Sequence, residues 1–332
     1  MTTHPEIIQL IETNFAQLKQ LPVGQKTDIA GFSFRSLQKS KNLVQKVEGP
    51  ENFYLKIRLH DDFSALEKEA AGMKFLEKQL QGQRFYLFPQ YFHVNMELGY
   101  ILSSEIRGRN LKESLHRYSL RVWSRGRKEL PEQFFRLGQI VAQFQKPAPE
   151  FPEPSIGNLY NYIQTRVDRL TNPGPLAEKI LNWLQKHPEP KLPQVFVHGN
   201  LKLDNVISLP PRLSIMDFET AGSGAIYNDP VRVLKNLILA ELALGFPTGL
   251  SRQCANRFLD GYRQMQSWSA ELMEQYIKVI LFDHYLQYHC IKKRGDSLSG
   301  FPIRTRTLEK FCEKLLSGSL RELLPWLRLE CK

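Results

Sequence analysis

The most constraining stretch of this sequence is Val195-Phe-Val-His-Gly-Asn-Leu-Lys-Leu-Asp-Asn205-Val-Ile, followed by Leu213-Ser-Ile-Met-Asp217-Phe-Glu219. Two short apolar runs flank a polar loop, and Pro210 and Pro211 mark a turn between them. The pattern reads as a strand ending in a polar loop, a tight hairpin, and a second strand that delivers a carboxylate beside the first loop. Asn205 and Asp217 then present two oxygen ligands at one place, which is what Mg²⁺ bound to nucleotide phosphates requires. A β hairpin capped by polar residues would show the same alternation without any chemistry, so the rest of the chain has to supply the other parts.

With 332 residues, the chain has room for two domains or one bilobal one at roughly 100–200 residues per domain. Hydrophobic residues at 42% and charged residues at 24% exclude a disordered or fibrous class. The amino terminus reaches Glu6 before any long apolar run, unlike a signal peptide. The most apolar stretch, 231–246, is interrupted by Lys235, Asn236 and Glu241 and falls short of the ~20 apolar residues a span needs. Cys254, Cys290, Cys312 and Cys331 show no CxxC spacing, so neither a zinc site nor a disulfide framework is indicated. A cytoplasmic location is expected.

Residues 5–20 read as one amphipathic helix, and 31–59 as strands, including 43–47 and the alternating 53–57. Ser64-Ala-Leu-Glu67 is a capping-box signature opening a helix to about residue 80. Strands are expected at 85–88 and 99–104. After Gly108 the chain turns helical (131–145, 158–170, 176–186 and 230 onward), interrupted by the β segment 194–218. The predicted architecture is α+β and bilobal, with a sheet-rich lobe over 1–103 and a helical lobe over 104–332, and an interlobe cleft where ligands bind.

HGNLKLDN at 198–205 and IMDFE at 215–219 resemble the aminoglycoside phosphotransferase and choline kinase-like family, small-molecule relatives of protein kinases. Its pattern is His-Gly-Asp, four residues, Asn, then Asp-Trp/Phe-Glu after a short hairpin. The resemblance implies a protein-kinase-like fold, ATP and Mg²⁺ as cofactors, and Asn205 and Asp217 as metal ligands. Lys56, in the strand FYLKI, stands where the family's phosphate-binding lysine would sit. Its partner is Glu67 or Glu69; a capping box would occupy Glu67, whereas Glu69 shares a helix face with Met73, Leu76 and Leu80, so Lys56 is paired with Glu69. The segment ILSSEIRGRNL at 101–111 resembles the family hinge, whose backbone at Ser104, Glu105 and Ile106 would meet adenine. Residues 224–230 and FLDGY at 258–262 resemble family elements too, with Asp229 in a structural role. The resemblance spans roughly 25–290, and only the 195–219 block is specific.

Two departures stand out. Asn200 occupies the place of the catalytic Asp, and a carboxamide has no useful basicity. Lys202, two residues on, either stabilises charge on the transferred phosphate or is a solvent-facing loop lysine; Asp204, the other candidate base, is expected to point away. Secondly, the nucleotide-covering loop, residues 38–44, contains no glycine, so it must grip phosphates by other means, with Ser40 and Lys41 as candidates.

The formal charge is +11, from 45 basic and 34 acidic residues. Eight basic residues (Arg107, Arg109, Lys112, Arg117, Arg121, Arg125, Arg127 and Lys128) follow the hinge, with only Glu113 opposing. A second cluster comprises Lys292, Lys293, Arg294, Arg304 and Arg306. A basic rim disfavours cationic acceptors and suits an anionic one; a solvated helix face is the competing explanation. The expected function is ATP-dependent transfer of a phosphoryl group to a hydroxyl of a small molecule, with a pseudokinase, a nucleotide-binding regulatory or scaffolding protein without transfer activity, as the alternative. A nucleic-acid-binding module lacks any supporting motif.

Overall fold

Strand-period alternation over 42–58 sorts side chains between two faces of a sheet, and the computed structural model bears this out. It describes residues 5–39, 41–60, 62–88, 91–120, 124–148, 151, 159–168, 174–244, 249–294 and 305–329. Strands β1 (Lys26–Ile29), β2 (Phe32–Lys39), β3 (Asn42–Glu48), β4 (Phe53–Arg58), β5 (Tyr91–Asn95) and β6 (Tyr100–Ser104) form an antiparallel sheet in the order β1-β2-β3-β4-β6-β5. Leu43, Val47, Phe53, Leu55 and Ile57 point into one core. Ile7, Ile11 and Leu18 of helices α1 (Pro5–Thr13) and α2 (Phe15–Gln20) close it. The single helix expected over 5–20 is broken at Asn14, whose side chain donates to the Leu10 carbonyl at 2.9 Å and competes with the backbone ladder.

Helix α3 (Ser64–Gln79) follows β4. Its capping box does not form: Ser64 is already helical, its N–H donates to Asp62 Oδ1 at 3.0 Å, and Glu67 is exposed. The strand expected at 85–88 is also corrected. Leu87 N–H and Phe85 C=O pair with the backbone of Leu213 at 2.7 and 2.8 Å, so this segment bridges to the later hairpin and β5 takes its place in the sheet.

Beyond β6 come β7 (Arg109–Asn110), α4 (Leu111–Ser119), α5 (Arg125–Phe144), α6 (Leu159–Asp168) and α7 (Gly174–Lys186). Helix α5 starts ahead of Pro131 because Ser124 caps it, accepting from Arg127 N–H. Strand β8 (Gln194–Val197) pairs with β11 (Gly222–Ala225), while β9 (Val206–Leu209) and β10 (Arg212–Ile215) form the predicted hairpin, with β7 on its other edge. Helices α8 (Asn228–Leu244), α9 (Leu250–Arg263), α10 (Ala270–Arg294), α11 (Thr305–Ser317) and α12 (Leu320–Leu323) complete the chain. Their apolar faces, with Met73, Leu76 and Leu80 of the α3 segment, build the larger core. Among the described residues no helix is long and apolar enough to cross a membrane.

Helices α5 and α9 cross backbone to backbone. A Cβ at Gly138 would run into the Phe258 carbonyl, and one at Gly261 into the Phe135 carbonyl. Gly261→Ala therefore forces the helices apart; overpacking of this kind costs about 1–3 kcal/mol, and urea unfolding should show a loss of that size with an unchanged m-value.

Candidate functional site

Alternation along β4 sends Phe53, Leu55 and Ile57 into the core and leaves Lys56 and Arg58 on the opposite face. On α3, Glu69 is buried in line with Met73 and Leu76. Lys56 Nζ lies 2.7 Å from Glu69 Oε2, 3.0 Å from Asp217 Oδ1 and 2.5 Å from Glu219 Oε1. The expected Lys56–Glu69 pair is therefore present, and Asp217 joins it. Burial works against the Lys56 ammonium, but the carboxylates of Glu69, Asp217 and Glu219 outweigh it and hold its pKa above the ordinary lysine value. Burial also pushes the Glu69 carboxyl up, opposed by Lys56. In Asp217 the balance falls the other way: burial raises it, yet Lys56, with a smaller contribution from Lys202, keeps it below the usual range.

The loop before Asp217 is fixed from beneath. Asp229, buried at the start of α8, accepts the N–H of His198 at 2.7 Å and of Gly199 at 3.0 Å, which is the structural role expected of it. His198 is buried and uncharged: burial lowers its pKa, Nε2–H donates to the Met216 carbonyl at 2.9 Å, and Nδ1 accepts from Asn200 N–H. Gly199 adopts φ +77°, and a Cβ there would strike the Thr220 carbonyl. Asp217 itself has φ +70°, an uncommon conformation for a non-glycine residue and one found at functional sites.

Asn205 donates Nδ2 to the Asn200 carbonyl at 3.2 Å and to Asp217 Oδ2 at 3.3 Å. Its carboxamide and the Asp217 carboxylate thus lie side by side, as the hairpin reading requires. One oxygen from each of Glu69, Asp217 and Glu219 falls within 4.8 Å of the others. Three carboxylates around one ammonium leave a negative pocket, and the oxygen donors of Asp217 and Asn205 fit a hard divalent cation.

Lys202 is partly exposed, with no ion-pair partner among the described residues. Asp204 is 3.2 Å from Lys112 Nζ, so its charge is committed to α4. In the 104–106 segment, Glu105 N–H donates to the Asn52 carbonyl at 3.0 Å, and its carboxylate takes Asn52 and Lys46. Ser104 closes β6 opposite Phe53, and Ile106 is buried just beyond. Ser40 lies outside the described residues, as do Arg121 and Arg304; Lys41 is exposed.

Part of the basic segment pairs with neighbouring groups of the protein itself. Lys112 meets Asp204, Arg125 meets Glu129 at 2.7 Å, and Arg127 donates to the carbonyls of Tyr118 and Ser119 at the end of α4. Part of this charge is therefore held in local pairs.

Sequence reasoning gave no role to Glu219, Asn42 or Arg58. Asn42 donates to Glu219 and accepts from Arg58 at 3.0 Å. Arg58 follows Lys56 by two positions and shares its face, a signal present in the alternation.

The sequence model of the APH phosphotransferase enzyme family matches residues 38–272. No curated protein matches the sequence. Among solved structures, a choline/ethanolamine kinase family protein from Mesorhizobium loti superposes with TM-score 0.58 at 16% identity, covering 97% of this chain and 100% of that one. An amicoumacin kinase, solved with AMP-PNP and Ca²⁺, gives 0.56 at 14% identity over 95% of this chain and 96% of its own. Aminoglycoside 2'-phosphotransferase-IIIa, as its GDP complex, gives 0.56 at 14% identity, covering 94% and 96%. These likenesses establish the bilobal, protein-kinase-like fold, and with the family model matching from the end of β2 into the start of α10, the chain belongs to the APH phosphotransferase enzyme family.

Proposed function

We propose that the protein transfers the γ-phosphoryl group of ATP to a hydroxyl of a small molecule, with Mg²⁺ bound to the nucleotide. The observation that carries this reading is the gathering of Lys56, Glu69, Asp217 and Asn205 at one point from four separated segments. Lys56 turns its ammonium to the α and β phosphates, and Glu69 fixes its direction. Asn205 and Asp217 hold the metal, which screens the phosphate charge when bound. The adenine meets the hinge backbone over Ser104, Glu105 and Ile106, where the Glu105 N–H already donates to Asn52. Lys41, in the glycine-free segment, covers the phosphates.

The acceptor oxygen attacks the γ phosphorus while the bond to the bridging oxygen of ADP breaks. Asn200 positions the hydroxyl but cannot take its proton, which leaves on a phosphate oxygen or to solvent. Lys202, with no carboxylate partner among the described residues, stabilises the charge on the moving group. With Arg109 on β7, hydrogen-bonded alongside β9, it makes the acceptor side basic and favours an anionic acceptor over a cationic one. Asn200 also supports the second reading, a pseudokinase that binds nucleotide without transferring phosphate.

ATP with Mg²⁺ at 100 times its Kd should stabilise the protein by about 2.7 kcal/mol, a Tm rise of about 4 °C for a chain of this size. No rise at saturating nucleotide defeats both readings. A rise together with ADP release against a panel of sugars and phosphorylated metabolites selects the first.

A further inference from the structure

We infer that Asn42 is a positioning residue for nucleotide binding: it keeps Glu219 partnered when Lys56 leaves that carboxylate for the phosphates. This inference rests on the phosphotransferase reading above.

Glu219 Oε1 receives two donors, Lys56 Nζ at 2.5 Å and Asn42 Nδ2. Its other oxygen is 4.0 Å from the Arg58 guanidinium. The Asn42 amide is not free to turn, since its Oδ1 accepts from Arg58 Nη1 at 3.0 Å; a flipped amide would set oxygen against the Glu219 carboxylate and NH₂ against the guanidinium. Arg58 is anchored in turn by donating Nε to the Asp62 carbonyl at 3.2 Å. Asn42 opposes Arg58 across the β3–β4 ladder, and both are less than a tenth exposed. Its sequence position matters as much as its contacts. It is the first residue of β3 and lies within the glycine-free segment 38–44.

Nucleotide binding sets up a competition for Lys56. The ammonium compensates three carboxylates, and whatever it gives to a phosphate it withdraws from them. Glu69 is buried on α3 and Asp217 would face the metal, so Glu219 is the carboxylate left facing a polyanion. Asn42 and Arg58 remain on it throughout, which lowers the cost of releasing Lys56. The same hydrogen bond ties the end of the nucleotide-covering loop to the motif that carries Asp217, a side-chain tether where close backbone approach through glycine is not available.

The test is a double-mutant cycle on the full-length protein, read by calorimetric titration with ATP in the presence of Mg²⁺. Asn42→Ala should weaken ATP roughly tenfold, the size expected for one hydrogen bond to a charged group. In a Glu219→Gln background the same substitution should change affinity less than about twofold, because no carboxylate remains to be held. Asn42→Asp, which faces Glu219 with a like charge, should be worse than Asn42→Ala. If Asn42→Ala fails to fold, Asn42→Ser takes its place in the cycle with the same tenfold loss expected. Equal weakening in both backgrounds, or none in either, overturns the role of Asn42 and leaves the phosphotransferase reading standing. A wild-type protein that binds no ATP removes that reading and this one together.

Discussion

Asn200→Asp should raise ATP turnover about 10²- to 10⁴-fold, the usual contribution of a general base, while leaving ATP affinity within about twofold. The rate effect corresponds to about 3–5 kcal/mol of barrier at roughly 1.36 kcal/mol per decade. The substitution is nearly isosteric, and the backbone around it is held independently of the side chain. Asn200 N–H donates to His198 Nδ1, and its carbonyl accepts from Asn205. A new carboxylate there changes basicity without moving the loop. Lys202 faces the same region and offsets part of the added negative charge. Turnover is measured as ADP release with the acceptor panel. A wild-type rate that rises marks a slow enzyme; a silent wild type with an active variant marks a pseudokinase. Silence in both, with ATP bound, removes the account in which only a base is missing.

Legibility in the sequence followed how locally each feature is determined. The 195–219 block was readable because a loop, a hairpin and a strand fix the relation of Asn205 to Asp217 within a few residues, and the structure places them 3.3 Å apart. Lys56 and Glu69 were readable from a strand period and a helix face. The helix face sufficed even though the capping box invoked to set Glu67 aside does not form. Asn42 and Glu219, by contrast, are separated by 177 positions, and their meeting depends on how the sheet closes over the hairpin, which no local pattern encodes. What the basic run does was hard to read for the opposite reason. Long cationic side chains settle on whatever acceptor is near, so Arg127 caps a helix end and Lys112 takes Asp204. The segment at 85–88 has strand composition, and its backbone does pair, but with Leu213 across the lobes instead of within the sheet.

Lys56→Met should abolish measurable transfer and also destabilise the nucleotide-free protein by about 3 kcal/mol at pH 7, the lower end for removing one partner of a buried pair. The lower end applies because Asp217 is 39% exposed and hydrates in part, whereas Glu69 is only 6% exposed. With the ammonium gone, Glu69 is a buried carboxylate beside two others. Burial already raises its pKa in the wild type, and loss of the opposing lysine raises it further. A group whose folded pKa lies above its unfolded value contributes stability that is full below the unfolded value and fades as pH rises through the folded one. The variant should therefore recover stability as pH is lowered toward the unfolded carboxyl value and Glu69 takes up a proton, and urea midpoints across that range record it. Lys56→Met with Glu69→Gln should regain most of the loss at pH 7 and lose the pH dependence, since the amide needs no counter-charge. Transfer should stay absent in the double variant, because Glu69 only directs Lys56 and cannot replace its charge on the phosphates. A single variant as stable as the wild type at every pH would mean that the carboxylates do not depend on Lys56, and the electrostatic basis of the site would fail with it.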